Sequence, residues 1–116
     1  MKWKYFKLEE FECKYTGMNK INHELIDMLD EAREIAGVPM IVSSGYRHET
    51  HPESFKNPSS SHIKGLAVDI KCVDSKSRAI ILGALVDVGF ERFGLHKGFI
   101  HADIDQAKAS PVIWLY

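Results

Sequence analysis

The sequence predicts an α+β fold built on a mostly antiparallel sheet. Three observations carry that expectation. Two stretches show the apolar period of amphipathic helices, four or five short stretches have strand character, and the two kinds do not alternate strictly as in a βαβ protein. Composition agrees: 45% of the 116 residues are hydrophobic and 27% charged, as in ordinary globular proteins. The length fits one domain over residues 1–116, since two would each lack a core.

Taken in chain order, residues 3–11 alternate aromatic and charged side chains and read as an arm with its rings turned inward. Over residues 22–36, Leu25, Met28, Leu29, Ala32 and Ile35 form one helical stripe, with Asn22 as N-cap and Gly37 and Pro39 as the stop. Residues 40–42 read as a short buried strand ending at Ser43, Ser44 and Gly45. Residues 46–61 are polar and proline-containing, a long loop with room for one helical turn, and loops of this length are often functional. Residues 66–72 alternate as a strand, with Leu66, Val68, Ile70 and Cys72 on one face and Ala67, Asp69 and Lys71 on the other. A second helix is expected over 75–88, offering Ile80, Leu82, Leu85 and Val86 to the core and ending at Gly89. Strands are expected at 90–95, at 99–104 after a turn at Lys97 and Gly98, and at 111–116 with Pro111 at its start.

Several function classes are disfavoured. A net charge of -1 and scattered aromatic residues argue against nucleic acid as the main partner. No run reaches the ~20 apolar residues of a membrane span, and the N-terminal segment lacks the apolar core of a signal peptide. Cys13 and Cys72 are isolated and are expected to be free, buried thiols.

The chemistry gathers around two histidines of the six. Asp69 lies mid-strand between Val68 and Ile70, where an unpaired carboxylate would cost several kcal/mol if buried. Gly65 permits a turn that brings His62 back over that strand. In residues 99–104 the period of two places Phe99, His101 and Asp103 on one face. If the two strands are neighbours, His62, Asp69 and His101 converge as a Zn²⁺-type set, with a fourth position left for water. A packed strand histidine without a metal is the alternative that spacing alone leaves open.

At this point the chain resembles the zinc D-Ala-D-Ala carboxypeptidase family of peptidoglycan peptidases, with the hedgehog/DD-peptidase fold. Within it the likeness is to small phage- and prophage-encoded members. Three motifs carry it in order: Ser44-Gly45-Tyr46-Arg47; Ser60-x-His62-x-x-Gly65-x-Ala67-x-Asp69-Ile70; and Phe99-Ile100-His101-x-Asp103. The entry at Phe11-Glu12-Cys13, the helix leading to Pro39 and the apolar C-terminal strand extend the likeness over nearly the whole chain.

The resemblance implies that His62, Asp69 and His101 are zinc ligands, that Arg47 holds a substrate carboxylate, and that Ser60 is a substrate or loop hydrogen-bond partner. Tyr46 is either a substrate-side residue or a packing ring. Arg47 has a plainer alternative, a surface pair with Glu49 or Glu53. Many members carry a general-base carboxylate three residues before the last histidine, and that position here is Gly98. Asp103 and His96 are the candidates for the role, with Glu91 less favoured. Asp103 can equally fix the imidazole of a ligand, and His96 can equally be a turn residue.

The implied activity is hydrolysis of peptidoglycan stem peptides, as a D,D-carboxypeptidase or an L-alanyl-D-glutamate-type endopeptidase of endolysin kind. The competing reading, prompted by Gly98, is a non-catalytic zinc-containing wall-binding or structural module. The expected protein is a monomer made in the cytoplasm, and phage-mediated release is one route to the wall.

Overall fold

A computed structural model describes residues 2–116. A 3-10 turn, Leu8–Phe11, precedes helix α1, His23–Ala36, strand β1, Val42–Ser44, and a short helix α2, Pro52–Lys56. Strand β2, Ala67–Lys71, helix α3, Ser75–Asp87, and strands β3, Arg92–Leu95, β4, Phe99–Asp103, and β5, Val112–Leu115, complete the chain. The sheet order is β1-β2-β4-β3-β5. Every neighbouring pair is antiparallel except β3 and β5, which run parallel, so the α+β expectation holds with a mixed sheet.

The helices form where their caps and stripes place them. Asn22 accepts from the amides of Glu24 and Leu25 at 2.8 and 3.3 Å, and Gly37 closes α1 in the left-handed region at φ 68°. The N-terminal arm is strapped along α1: the Trp3 indole donates to Asp27 at 2.7 Å and the Tyr5 hydroxyl to Glu34 at 2.8 Å. Phe6 and Phe11 turn into the core as expected. Cys13 and Cys72 are buried and unpaired.

Both helical stripes hold in part, with Met28 and Leu82 also packed against the core, and each shifts at some positions. Ile26 joins Leu25, Leu29 and Ala32 in the core, while Ile35 is 51% exposed. On α3 the buried residues are Ile81, Ala84 and Leu85, and Val86 is 53% exposed. That helix is apolar nearly all round, so its own pattern does not say which side faces inward; packing against α1 and β4 decides it. The first strand also lies two residues later than expected, leaving Ile41 exposed.

The sheet divides the molecule by chemistry. Val68, Ile70, Ile100, Ala102 and Phe93 face α1 and α3 and are buried in one core. The period of two sends their neighbours to the other face. There, Asp69 pairs across β2 and β4 with His101, and Gly94 of β3 lies opposite His101 on its other side. Trp114 of β5 lies beside Gly94. The polar face of the sheet is thus the floor of a cleft.

Candidate metal centre

The turn after α2 brings the first histidine over β2. Leu66 N donates to Ser61 O at 3.0 Å and Gly65 N to His62 O at 3.1 Å. Gly65 sits at φ +72°, and a Cβ there would stand 2.2 Å from Lys20 O, so only glycine lets the turn close against the segment entering α1. On its other side His62 O accepts from Arg47 N at 3.1 Å. This tie joins the Arg47 segment to the His62 turn.

The three expected ligands meet. One ligand atom from each of His62, Asp69 and His101 lies within 4.8 Å of the other two. His62 Nε2 is 3.3 Å, and His101 Nδ1 3.0 Å, from Asp69 Oδ1. A tetrahedral zinc with bonds of about 2.0–2.1 Å would separate its ligand atoms by about 3.3 Å.

The remaining ring nitrogens settle which atoms face inward. His62 Nδ1 lies 2.8 Å from the Gly45 carbonyl, and a carbonyl only accepts, so Nδ1 carries the proton. His101 Nε2 lies 2.8 Å from Asp103 Oδ2 and donates to it. Neutral imidazoles so oriented turn lone pairs from His62 Nε2 and His101 Nδ1 toward a carboxylate oxygen. Three such acceptors this close require a cation among them, either a proton or a metal ion. The donor set, two nitrogens and one oxygen, fits a mononuclear site of the zinc kind.

The charges agree with that geometry. Where protons are that cation, burial alone would raise the pKa of Asp69, but the hydrogen bonds they complete from His101 and His62 outweigh it and hold the carboxyl far below its usual range. Burial would lower His101, but Asp103 and Asp69 together raise it.

Asp103 lies behind His101. Its Oδ2 takes the His101 bond, and its Oδ1 accepts from Arg92 Nε at 2.7 Å and from Asp105 N at 3.1 Å. Of the two roles open to it, the contacts are those of a residue that fixes the imidazole. His96 stacks on Phe99 at 4.5 Å, and its Nδ1 accepts from Gly98 N at 2.9 Å. It is therefore separated from the cleft by the Phe99 ring. Glu91 is exposed and lies outside the cleft.

Arg47 and Ser60 do line the cleft, which encloses about 480 Å³. Arg47 has no carboxylate within ion-pair distance among the described residues, and its guanidinium donates to Ser60 Oγ at 3.4 Å. Ser60 Oγ also accepts from His62 N at 3.2 Å. Tyr46 is 5% exposed and packed in the core, with its amide bound to Phe11 O at 2.7 Å. It does not line the cleft with the triad, so its contacts are those of the packing ring.

Sequence reasoning missed the opposite wall. Trp114, Tyr116, Arg92 and Lys108 line the cleft, as do Glu53 of α2 and Asn57 just after it. The Trp114 ring lies 5.2 Å from that of His101, and Arg92 Cζ stands 5.3 Å from the indole. Gly94 makes room: a Cβ there would lie 2.5 Å from the indole nitrogen. The alternation of Trp114 and Tyr116 was visible, but the parallel placement of β5 beside β3 was not.

Comparison with known proteins adds one finding. Residues 4–103 match the family described as Peptidase M15. No curated protein and no solved structure matches the chain. The family match covers most of the chain and includes all three triad residues, and the chain belongs to the M15 family of zinc peptidases.

Proposed function

We propose that this M15 peptidase cuts peptide bonds in peptidoglycan stem peptides, with zinc held by His62, Asp69 and His101. The observation that carries the reading is the buried triad whose three inward atoms are all lone-pair donors, set in the floor of an open cleft. When bound, the metal supplies Lewis acidity and a water made acidic at neutral pH.

The protein's own groups do the rest. Arg47 offers a planar guanidinium, free of carboxylate partners, to a carboxylate of the peptide. Asp103 holds the His101 proton on Nε2, and the Gly45 carbonyl holds that of His62 on Nδ1. Three carboxylates line the cleft: Asp69, Asp103 and Glu53. The first two are engaged by imidazoles and Arg92. Glu53 has only an exposed Lys56 at 3.4 Å. In this reading the Glu53 carboxylate takes a proton from the attacking water and returns it to the leaving amine. This fills the role that Gly98 leaves vacant. The likeness to phage-encoded members supports an endolysin-type setting with release through a membrane lesion.

The test is digestion of purified cell-wall peptidoglycan by the zinc-loaded protein, with mass analysis of released peptides. Cleavage that chelator abolishes and zinc restores is expected. Wall binding with no cut bond would place the protein instead among non-catalytic modules.

A further inference from the structure

We propose that Tyr116 is a catalytic residue whose hydroxyl donates a hydrogen bond to the carbonyl oxygen of the bond being cut. This rests on the peptidase reading above, and names a group that the family match, ending at residue 103, does not reach.

Tyr116 lines the same cleft as His62, Asp69, His101 and Arg47. Its position is fixed although it follows the last strand. Its amide donates to Leu95 O at 3.2 Å, and its ring meets Phe99 edge-on at 5.2 Å and His96 at 5.5 Å. His96 thus has a place in the site through the wall it builds.

The ring packing sets the side of the cleft on which the hydroxyl stands. Trp114, two residues earlier on β5, lines the cleft beside it. No protein acceptor takes the phenolic proton among the described residues, and Tyr116 lines the cleft, so the hydroxyl is free to donate to a ligand there. The indole itself stands where it does because residue 94 is glycine.

The cationic donors of the cleft are spoken for. Arg92 binds Asp103 and the Ala109 carbonyl, and Lys108 donates to Ser59 O at 2.8 Å. Arg47 is assigned to a substrate carboxylate. Burial, with the charges of Asp69 and Asp103, pushes the Tyr116 phenol above its ordinary value despite the indole and Arg47. It therefore remains a neutral donor at working pH. A fixed donor facing the point where negative charge develops lowers the barrier without binding the ground state more tightly.

The experiment compares the zinc-loaded full chain with Tyr116→Phe. Both carry Trp3→Phe, so that Trp114 is the sole remaining tryptophan of the two. Two readouts are taken: kcat and KM on the stem peptide that the unaltered protein cuts, and affinity from Trp114 fluorescence. The fluorescence probes are the cleaved product peptide and a phosphinate peptide that mimics the tetrahedral geometry. Loss of the hydroxyl is expected to lower kcat by about 10²-fold with KM, zinc content and product affinity unchanged. Phosphinate affinity is expected to fall with kcat.

An unchanged kcat or unchanged phosphinate affinity overturns the role of Tyr116 and leaves the peptidase reading standing. So does a loss of kcat that tracks a loss of zinc. A zinc-loaded parent that cuts no stem peptide overturns the peptidase reading itself, and the Tyr116 role with it.

Discussion

The middle of the sheet and its edges are built by opposite rules. At the centre the functional side chains are buried, and each is held by a named partner: His62, in the turn before β2, by the Gly45 carbonyl, and on β4 His101 by Asp103 and Asp103 by Arg92. Along the edges, α2 and the C-terminal segment present Glu53 and Tyr116, both largely exposed to solvent. The contrast separates two tasks. A metal centre needs fixed lone pairs, which central strands provide, whereas a substrate must enter, so its contacts stand on elements that solvent can reach.

The comparison is most sharply broken at the centre. His62→Ala removes one of three ligands, and its expected result is loss of stoichiometric zinc and of at least about 10³-fold in activity. Metal analysis and peptide release check both. Glu53→Gln, at the rim, is expected to lower kcat by about 10²–10⁴-fold while zinc content stays at one per chain. Activity loss with metal retained is the signature of a rim residue.

Asp103→Asn lies between the two regions in its effect. It replaces the acceptor that fixes the His101 proton, so zinc affinity is expected to fall by about 10–100-fold, measured by chelator competition. Arg47→Lys replaces a planar fork by a point charge and is expected to raise KM by about tenfold at similar kcat, since a charged hydrogen bond contributes about 1.5–3 kcal/mol. If Arg47 instead serves only the loop, KM will not move.

The smallest expected effect concerns the link between the regions. Asp105, 2% exposed, accepts from Ser61 Oγ at 2.8 Å and pairs with Lys64 at 2.9 Å, pinning the His62 turn to the segment after β4. Burial by itself raises its pKa, but Lys64 and the Ser61 hydroxyl outweigh it, leaving the value below the ordinary one. A lowered folded-state pKa contributes stability that is present above the unfolded value of about 3.9 and lost as pH falls through the folded value. Asp105→Asn is expected to cost about 1 kcal/mol at neutral pH. That deficit should close below about pH 4, as read from denaturant midpoints.

Much of the centre was legible because its signals are local. The period of two alone places Asp69 opposite the apolar face, and likewise His101 with Asp103; Gly65 marks the turn that returns His62. The rim was not legible, because its placement depends on pairing between distant segments. Nothing in residues 111–116 says that they run parallel to β3, so Trp114 read as part of an apolar strand. Nor does the polar stretch of residues 46–61 reveal which side of its single helical turn faces the cleft. Asp103 shows the middle case: its strand face was predictable, but its two oxygens could be assigned only once Arg92 and the Asp105 amide were in place.

The central claim is that His62, Asp69 and His101 bind one metal ion. Zinc-edge X-ray absorption on the zinc-loaded protein tests it most directly. The account predicts one zinc per chain in a shell of nitrogen and oxygen at about 2.0–2.1 Å, with two imidazoles in the outer-shell pattern. A shell containing sulfur at about 2.3 Å, or a protein that retains no zinc, would contradict it.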